Sequence, residues 1–327
     1  MKTSVLIFLS CVLSISASSQ TAAFVIGEKA AGSIGFYDAE FHRIGGAKVG
    51  SHPHEIVLTP DRKTLYVADN GVMWMTEKAP GDNTVSVVDI ASMKRTSTIN
   101  LGKYRRPHGI TYDPDSNKVY VTTEKPSKLL VLDPKTLQVV HAYDVQGQAP
   151  HIVKLGPKGE WAYVSNTDTG NLSAIKLSSG SVISVRSGER PQGQAMSPDG
   201  RMIFVANSGG NSISIFDLEQ KKNIGRITTK GKAPVRLVVS PDGKTLIYAL
   251  QEGRAVGFAD IAMRKELLEI PLGGRPVSMS LSSDGKLAYC SVQEEDEIYI
   301  ISLADRKLVR VVHTPKGMGP DPVVPLR

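Results

Sequence analysis

An internal repeat constrains this 327-residue chain more than any other feature. Its fullest form is a Gly-x-x-Pro opening, an alternating apolar run, a Pro-Asp-Gly turn, an aromatic-Val strand and a further strand closing near Asp. It is read at Pro53-His54-Glu55-Ile56 with Leu65-Tyr66-Val67, at Pro107-His108-Gly109-Ile110 with Val119-Tyr120-Val121, and at Pro150-His151-Ile152-Val153 with Ala162-Tyr163-Val164. It returns at Pro191-Gln192-Gly193, Pro234-Val235-Arg236 and Pro276-Val277-Ser278. The anchor prolines are 54, 43, 41, 43 and 42 residues apart. Units of this length, built from short strands and turn residues, cannot bury an apolar face alone and must pack on copies of themselves.

Each unit has room for four strands. In the copy opened by Pro191, Gln194 to Met196 forms strand a. Pro198-Asp199-Gly200 then turns the chain, the proline fixing one dihedral and the glycine supplying the permissive one. Met202 to Asn207 forms strand b, Ser212 to Asp217 strand c, and Asn223 to Thr228 the polar outer strand d. The aromatics Tyr66, Tyr120, Tyr163, Phe204, Tyr248 and Tyr289 read as one strand-b position packed between units. Asp38, Asp89, Asp133, Asp217 and Asp260 read as turn caps after strand c.

The chain ends fix the count. Phe24-Val25-Ile26, Ser33 to Asp38 and Arg43 to Lys48 supply strands b, c and d without a strand a, and Gly317-Met318-Gly319-Pro320 opens a strand a with nothing after it. Joined, they complete a seventh unit. The expected fold is all-β: a seven-bladed β-propeller of four-stranded antiparallel blades, its ring closed by a C-terminal strand joining the N-terminal blade.

The first residues, Met1-Lys2-Thr3 followed by an apolar run from Val5 to Ile15 and small residues at Ala17, Ser18 and Ser19, read as a secretory signal peptide. The expected division is a leader over residues 1–20, cleaved near Ser19 or Ala22, and one propeller domain over 21–327, periplasmic or secreted. No later stretch is apolar enough for a transmembrane helix. Cys290 alone follows the leader, so no intrachain disulfide is expected in the mature chain. The net charge of +7 is spread along the chain, densest from Lys221 to Arg236, and reads as a solvated outer strand and loop. Without aromatic interleaving, nucleic acid is not an expected partner.

The run from Pro191 through Pro198-Asp199-Gly200 and Ile203-Phe204-Val205-Ala206-Asn207 to Asn211-Ser212-Ile213-Ser214-Ile215-Phe216-Asp217 resembles the YVTN family of bacterial and archaeal propellers. Leu65-Tyr66-Val67-Ala68-Asp69 with Asn83-Thr84-Val85-Ser86-Val87-Val88-Asp89 repeats the match. The resemblance implies the fold over nearly the whole mature chain. It says little about function, since related propellers include lactonases, lyases and electron-transfer subunits. One cysteine excludes a Cys-x-x-Cys-His haem site in the mature chain, and no Gly-x-Ser-x-Gly elbow, phosphate loop or His-Glu-x-x-His pair is present.

Propeller topology brings the start of every strand a and the end of every strand b to one face around the central channel. Directly after the anchor prolines stand His54, His108, His151, Gln192, Val235, Val277 and Asp321, which puts three imidazoles at one position on consecutive blades. Glu55 lies beside them, with Glu28, Asp69, Asn70, Glu124, Asn166 and Asn207 at strand-b ends. Imidazoles with carboxylates suit one divalent transition metal such as zinc, copper, nickel or iron. The same set could serve as acid and base without a metal. Alternatively, each histidine caps a neighbouring loop. In the metal reading His54, His108 and His151 are ligands, with Glu55 or Glu124 contributing or moving a proton.

One long loop, Gly71 to Asp82, rises from the same face and carries Met73-Trp74-Met75. A surface loop with three large apolar groups either packs over the channel mouth as a lid or contacts a partner, unless Trp74 simply plugs the ring. Arg106, in the connection before Pro107, adds positive charge for an anionic ligand. Two functions remain open. The first, slightly favoured, is an extracytoplasmic binding or scaffold propeller presenting this rim to a small molecule or protein. The second is a metal-dependent, lactonase-like hydrolase or lyase.

Overall fold

The computed structural model describes residues 21–327; the expected leader lies outside the described residues. Seven four-stranded antiparallel sheets surround a central channel. Their innermost strands are Pro53–Leu58, Arg105–Asp113, Pro150–Leu155, Pro191–Met196, Pro234–Val239, Ser280–Leu281 and Pro320–Pro325. The last of these pairs with Phe24–Glu28 in the register Val25↔Val324 and Ile26↔Val323, so the two ends of the chain share one blade. Leu326 N–H donates to the Ala23 carbonyl at 2.8 Å and extends the seam. Among the described residues no helix is long and apolar enough to cross a membrane.

Seven apolar clusters fill the seven clefts between neighbouring blades. Both faces of each inner sheet are therefore buried, which is why strands b and c are mostly apolar, with buried exceptions such as Asn207 and Ser214, while outer strands such as Lys222–Thr228 stay polar. The aspartates after strand c cap their turns: Asp217 Oδ1 accepts from Gln220 N–H at 2.7 Å and Asp260 Oδ1 from Met263 N–H at 2.7 Å.

The register corrects one repeat position. Ala195 pairs with Phe204 but Val238 pairs with Ile247, so Ile247, not Tyr248, is the equivalent of Phe204. Tyr248 is buried as expected, but it faces the opposite cleft and donates its hydroxyl to Glu266 Oε2 at 2.7 Å. The innermost strand opened by Pro276 is also shorter than expected, with only Ser280–Leu281 in ladder form.

The glycine three residues before an anchor proline has a packing reason in three blades. A Cβ on Gly50, Gly147 or Gly188 would fall 2.3 to 2.6 Å from side-chain atoms of Asp69, Asn166 or Asn207. Each of these strand-b ends is thus a polar post under the incoming loop. Just after the proline the ladder slips by one residue in five blades, a bulge that re-aims the following side chain. Gly109 lets the neighbouring inner strand close in, since a Cβ there would lie 2.3 Å from the His151 carbonyl oxygen.

Candidate functional site: the histidine rim of the channel

The bulges turn His54, His108 and His151 into one column of imidazoles. Ring centroids are 3.9 Å apart for His54 and His108, 3.7 Å for His108 and His151, and 6.3 Å for the outer pair. All three are buried, His108 to 1% exposure. Rings tilted 42° and 34° lie largely face on face, so their nitrogens do not converge. Among the described residues no group of three His, Cys, Asp or Glu side chains is placed to hold a metal ion.

Charged groups surround the column. Arg236 donates to Glu55 Oε1 at 2.9 Å and lies 3.1 Å from His151 Nε2. A guanidinium only donates, so His151 Nε2 accepts and its proton sits on Nδ1. Lys29 Nζ is 3.4 Å from Asp321 Oδ2, which lies 3.9 Å from His54 Nε2. His54 Nδ1 is 3.6 Å from Glu55 Oε1. Burial, and then the neighbouring cations and imidazoles, hold all three histidines well below their ordinary pKa, so they are neutral at pH 7. Burial pushes Asp321 up to about 6 against the pull of Lys29 and Arg236.

Several buried polar atoms here have no hydrogen-bond partner among the described residues: His54 Nδ1, both ring nitrogens of His108, His151 Nδ1, Arg236 Nε and Asp321 Oδ1. Above them opens a cavity of about 370 Å3. Lys29, Arg190, Arg236 and Arg275 line it against the acidic Glu252 and Asp321. Gln192 also lines it, its amide donating to Ser208 Oγ at 3.0 Å.

The long loop Gly71 to Asp82 roofs this cavity, with Met73, Trp74 and Met75 facing it. The indole of Trp74 lies between two cations, 5.4 Å from Arg275 Cζ and 6.0 Å from Lys29 Nζ. Arg106, 2% exposed, straps the loop from the neighbouring blade. It donates to the carbonyls of Met75 at 3.2 Å, Ala79 at 2.6 Å and Glu77, and pairs with Glu124 at 3.1 Å.

The structure therefore brings His54, His108, His151, Glu55, Gln192 and Trp74 together and sets the other candidates apart. Arg106 and Glu124 hold the roof and do not line the cavity. Glu28 is taken up by Ser33, Tyr37 and Arg43, and Asp69 by Gly50 N–H, Thr84 and Ser86. Asn70 donates to the Pro107 carbonyl, Asn166 to Ser173, and Asn207 to Ser214. These side chains point along the blade, where their carboxyl and amide groups satisfy backbone and hydroxyl partners. Arg236 is the reverse case: assigned to the solvated basic stretch from Lys221, it lies on an innermost strand and is 8% exposed. Its place, two residues after an anchor proline as Glu55 is, was the available signal.

The sequence profile of the family described as "Lactonase, 7-bladed beta-propeller" matches residues 186–269, a span of two blades. No curated protein matches. Among solved structures, hydrazine synthase of Kuenenia stuttgartiensis is 20% identical with a TM-score of 0.69, covering 88% of this chain and 91% of that one. A protein from Desulfotomaculum acetoxidans DSM 771, described as functionally unknown, is 15% identical with a TM-score of 0.76, covering 93% and 99%. This chain is a seven-bladed β-propeller. A third structure, the dihydro-heme d1 dehydrogenase NirN in complex with DHE, is 18% identical with a TM-score of 0.68; the match covers 91% of this chain and 65% of that one. At these identities the likeness speaks for the fold alone.

Proposed function

We propose that the chain is an exported propeller, periplasmic or secreted, that binds a small organic anion, a carboxylate above all, in the roofed cavity at the histidine rim. The observation that carries this is the set of buried donors without acceptors, His151 Nδ1–H and Arg236 Nε–H. Leaving such a group unmet costs roughly 1–3 kcal/mol, which an acceptor-rich ligand recovers on binding. Arg236 pairs with Glu55, Lys29 with Asp321 and Arg275 with Glu252 and Glu294, while Arg190 lines the cavity with no side-chain partner among the described residues and is the cation free to meet a negative charge. Trp74 supplies an apolar roof. The YVTN-like repeat and the short apolar leader support the extracytoplasmic place.

A lactonase-like activity is the second reading, favoured by the family match over residues 186–269, which include Gln192 and Arg236. Neutral His54 would take a proton from water as it attacks the lactone carbonyl and return it to the ring oxygen as the C–O bond breaks, and Arg236 would donate to the oxygen that gains charge. The hydroxycarboxylate released is the same class of anion. A divalent ion at the three imidazoles would sit beside Arg236 and Lys29, whose charges oppose it.

Trp161→Phe leaves Trp74 as the only tryptophan and makes its emission a reporter. Titration with acetate, benzoate and 4-hydroxybutyrate should give saturable changes that the paired replacement Glu55→Gln/Arg236→Met abolishes. Equal binding of acetamide, or no binding of any carboxylate, excludes the anion reading. Opening of γ-butyrolactone, followed by NMR, decides the second.

A further inference from the structure

The central cavity continues sideways past its roof. Arg190, Met75 and Thr76 border both it and a neighbouring hollow of about 620 Å3. That hollow shares Glu124, Lys125 and Gln148 with a third of about 720 Å3. Together they form one groove from the channel mouth outward, between the blade opened by Arg105–Asp113 and the blade opened by Pro150–Leu155.

The groove mixes polar and apolar lining and offers hydrogen-bonding groups along its length. The outer hollow offers the side-chain amides of Gln146 and Gln148 and the hydroxyls of Ser127 and Thr169, and neither hollow is lined by an aromatic side chain. Glu124, 9% exposed, has its Oε1 without a partner among the described residues, while its Oε2 holds Arg106. An alkyl tail would bury these groups unmet, at a cost, and a carbohydrate would find no aromatic face to stack on. A polypeptide backbone, with an N–H and a C=O at each residue, meets donors and acceptors alike.

We infer that the anion is the C-terminal carboxylate of an extended polypeptide segment, seated at Arg236 and His151, with the chain passing Arg190 into the groove. This rests on the anion-binding reading and names its ligand. The free carboxylate supplies the charge the cavity selects, and the groove adds affinity residue by residue.

The test compares three probes by fluorescence polarisation and competition: fluorescein-labelled pentapeptides of mixed sequence with a free C-terminus, the same peptides amidated, and unlabelled N-acetylglycine as the head group alone. The free-acid peptides should bind at least tenfold more tightly than N-acetylglycine, and amidation should cost at least tenfold. Gln148→Trp and Lys125→Glu should lower peptide affinity toward that of N-acetylglycine. N-acetylglycine binding as tightly as the peptides, or amidated peptides binding as well as free acids, overturns the inference. If neither the peptides nor N-acetylglycine bind, the anion reading falls with it.

Discussion

Replacing Arg106 by Lys should open the roof without unfolding the propeller. The guanidinium fork spans the loop, reaching the carbonyls of Met75, Glu77 and Ala79 while paired with Glu124. A lysine keeps the charge beside Glu124 but has one nitrogen, which cannot reach carbonyls spread over five residues. Hydrogen bonds to charged groups contribute about 1.5–3 kcal/mol each, so losing one or two costs roughly 3 kcal/mol. At about 1.4 kcal/mol per tenfold, the closed-to-open ratio falls by about two orders of magnitude. The apolar clusters between blades are untouched, so the urea midpoint should move little. In the Trp161→Phe background, Trp74 emission should shift to the red, acrylamide quenching should rise, and trypsin should cut faster after Lys78. Anion affinity should fall in step with the loss of closed form. Unchanged Trp74 emission and unchanged cleavage at Lys78 would refute the strap. A fall in global stability as large as the change at the roof would make Arg106 a structural group of its blade instead.

Deleting Pro320 to Arg327 should cost most of the folding free energy. It removes the buried side chains Val323 and Leu326, at about 1.5–3 kcal/mol each, and a strand's worth of ladder bonds at about 0.5–1.5 kcal/mol each, against a typical total of about 5–15 kcal/mol. Circular dichroism and size exclusion should show an unfolded or associated chain, and a monomer melting like the full protein would show that the ring does not need its clasp. His108→Leu should stabilise the ligand-free protein at pH 7 by about 1 kcal/mol, because both ring nitrogens are buried without partners, while weakening anion binding. The gain should be larger at pH 5: a histidine held below its ordinary 6.5 resists protonation only when folded, so its contribution to stability falls as pH drops through that value. Asp321 runs the other way, since a folded value of about 6 against 3.8 adds stability as pH falls from about 6 to about 4. Urea titrations of both proteins at pH 7.5 and pH 5 read the difference, and an equal loss at both pH values would mean that His108 is hydrogen-bonded.

The repeat by itself determined the architecture, because a unit with two apolar faces is stable only between copies of itself, and incomplete units at the two ends can only complete one another. It also determined that His54, His108 and His151 share a rim, since equivalent positions on neighbouring blades lie side by side. What the repeat could not decide was which way each polar side chain points. Asp69, Asn166 and Asn207 were legible as strand ends facing the channel side, yet each turns along its blade to fill the place of an absent glycine Cβ. Tyr248 lies one residue off the aromatic register, a shift that sends it to the opposite cleft. Arg236 and Lys29 join the imidazoles through contacts with residues 181 and 292 positions away in the chain. Local pattern records which face of a strand is apolar. Only the closed ring, by setting the bulge after five of the prolines and the distance between blades, fixes which charges meet in the channel and so turns a set of spaced histidines into a donor-rich cavity.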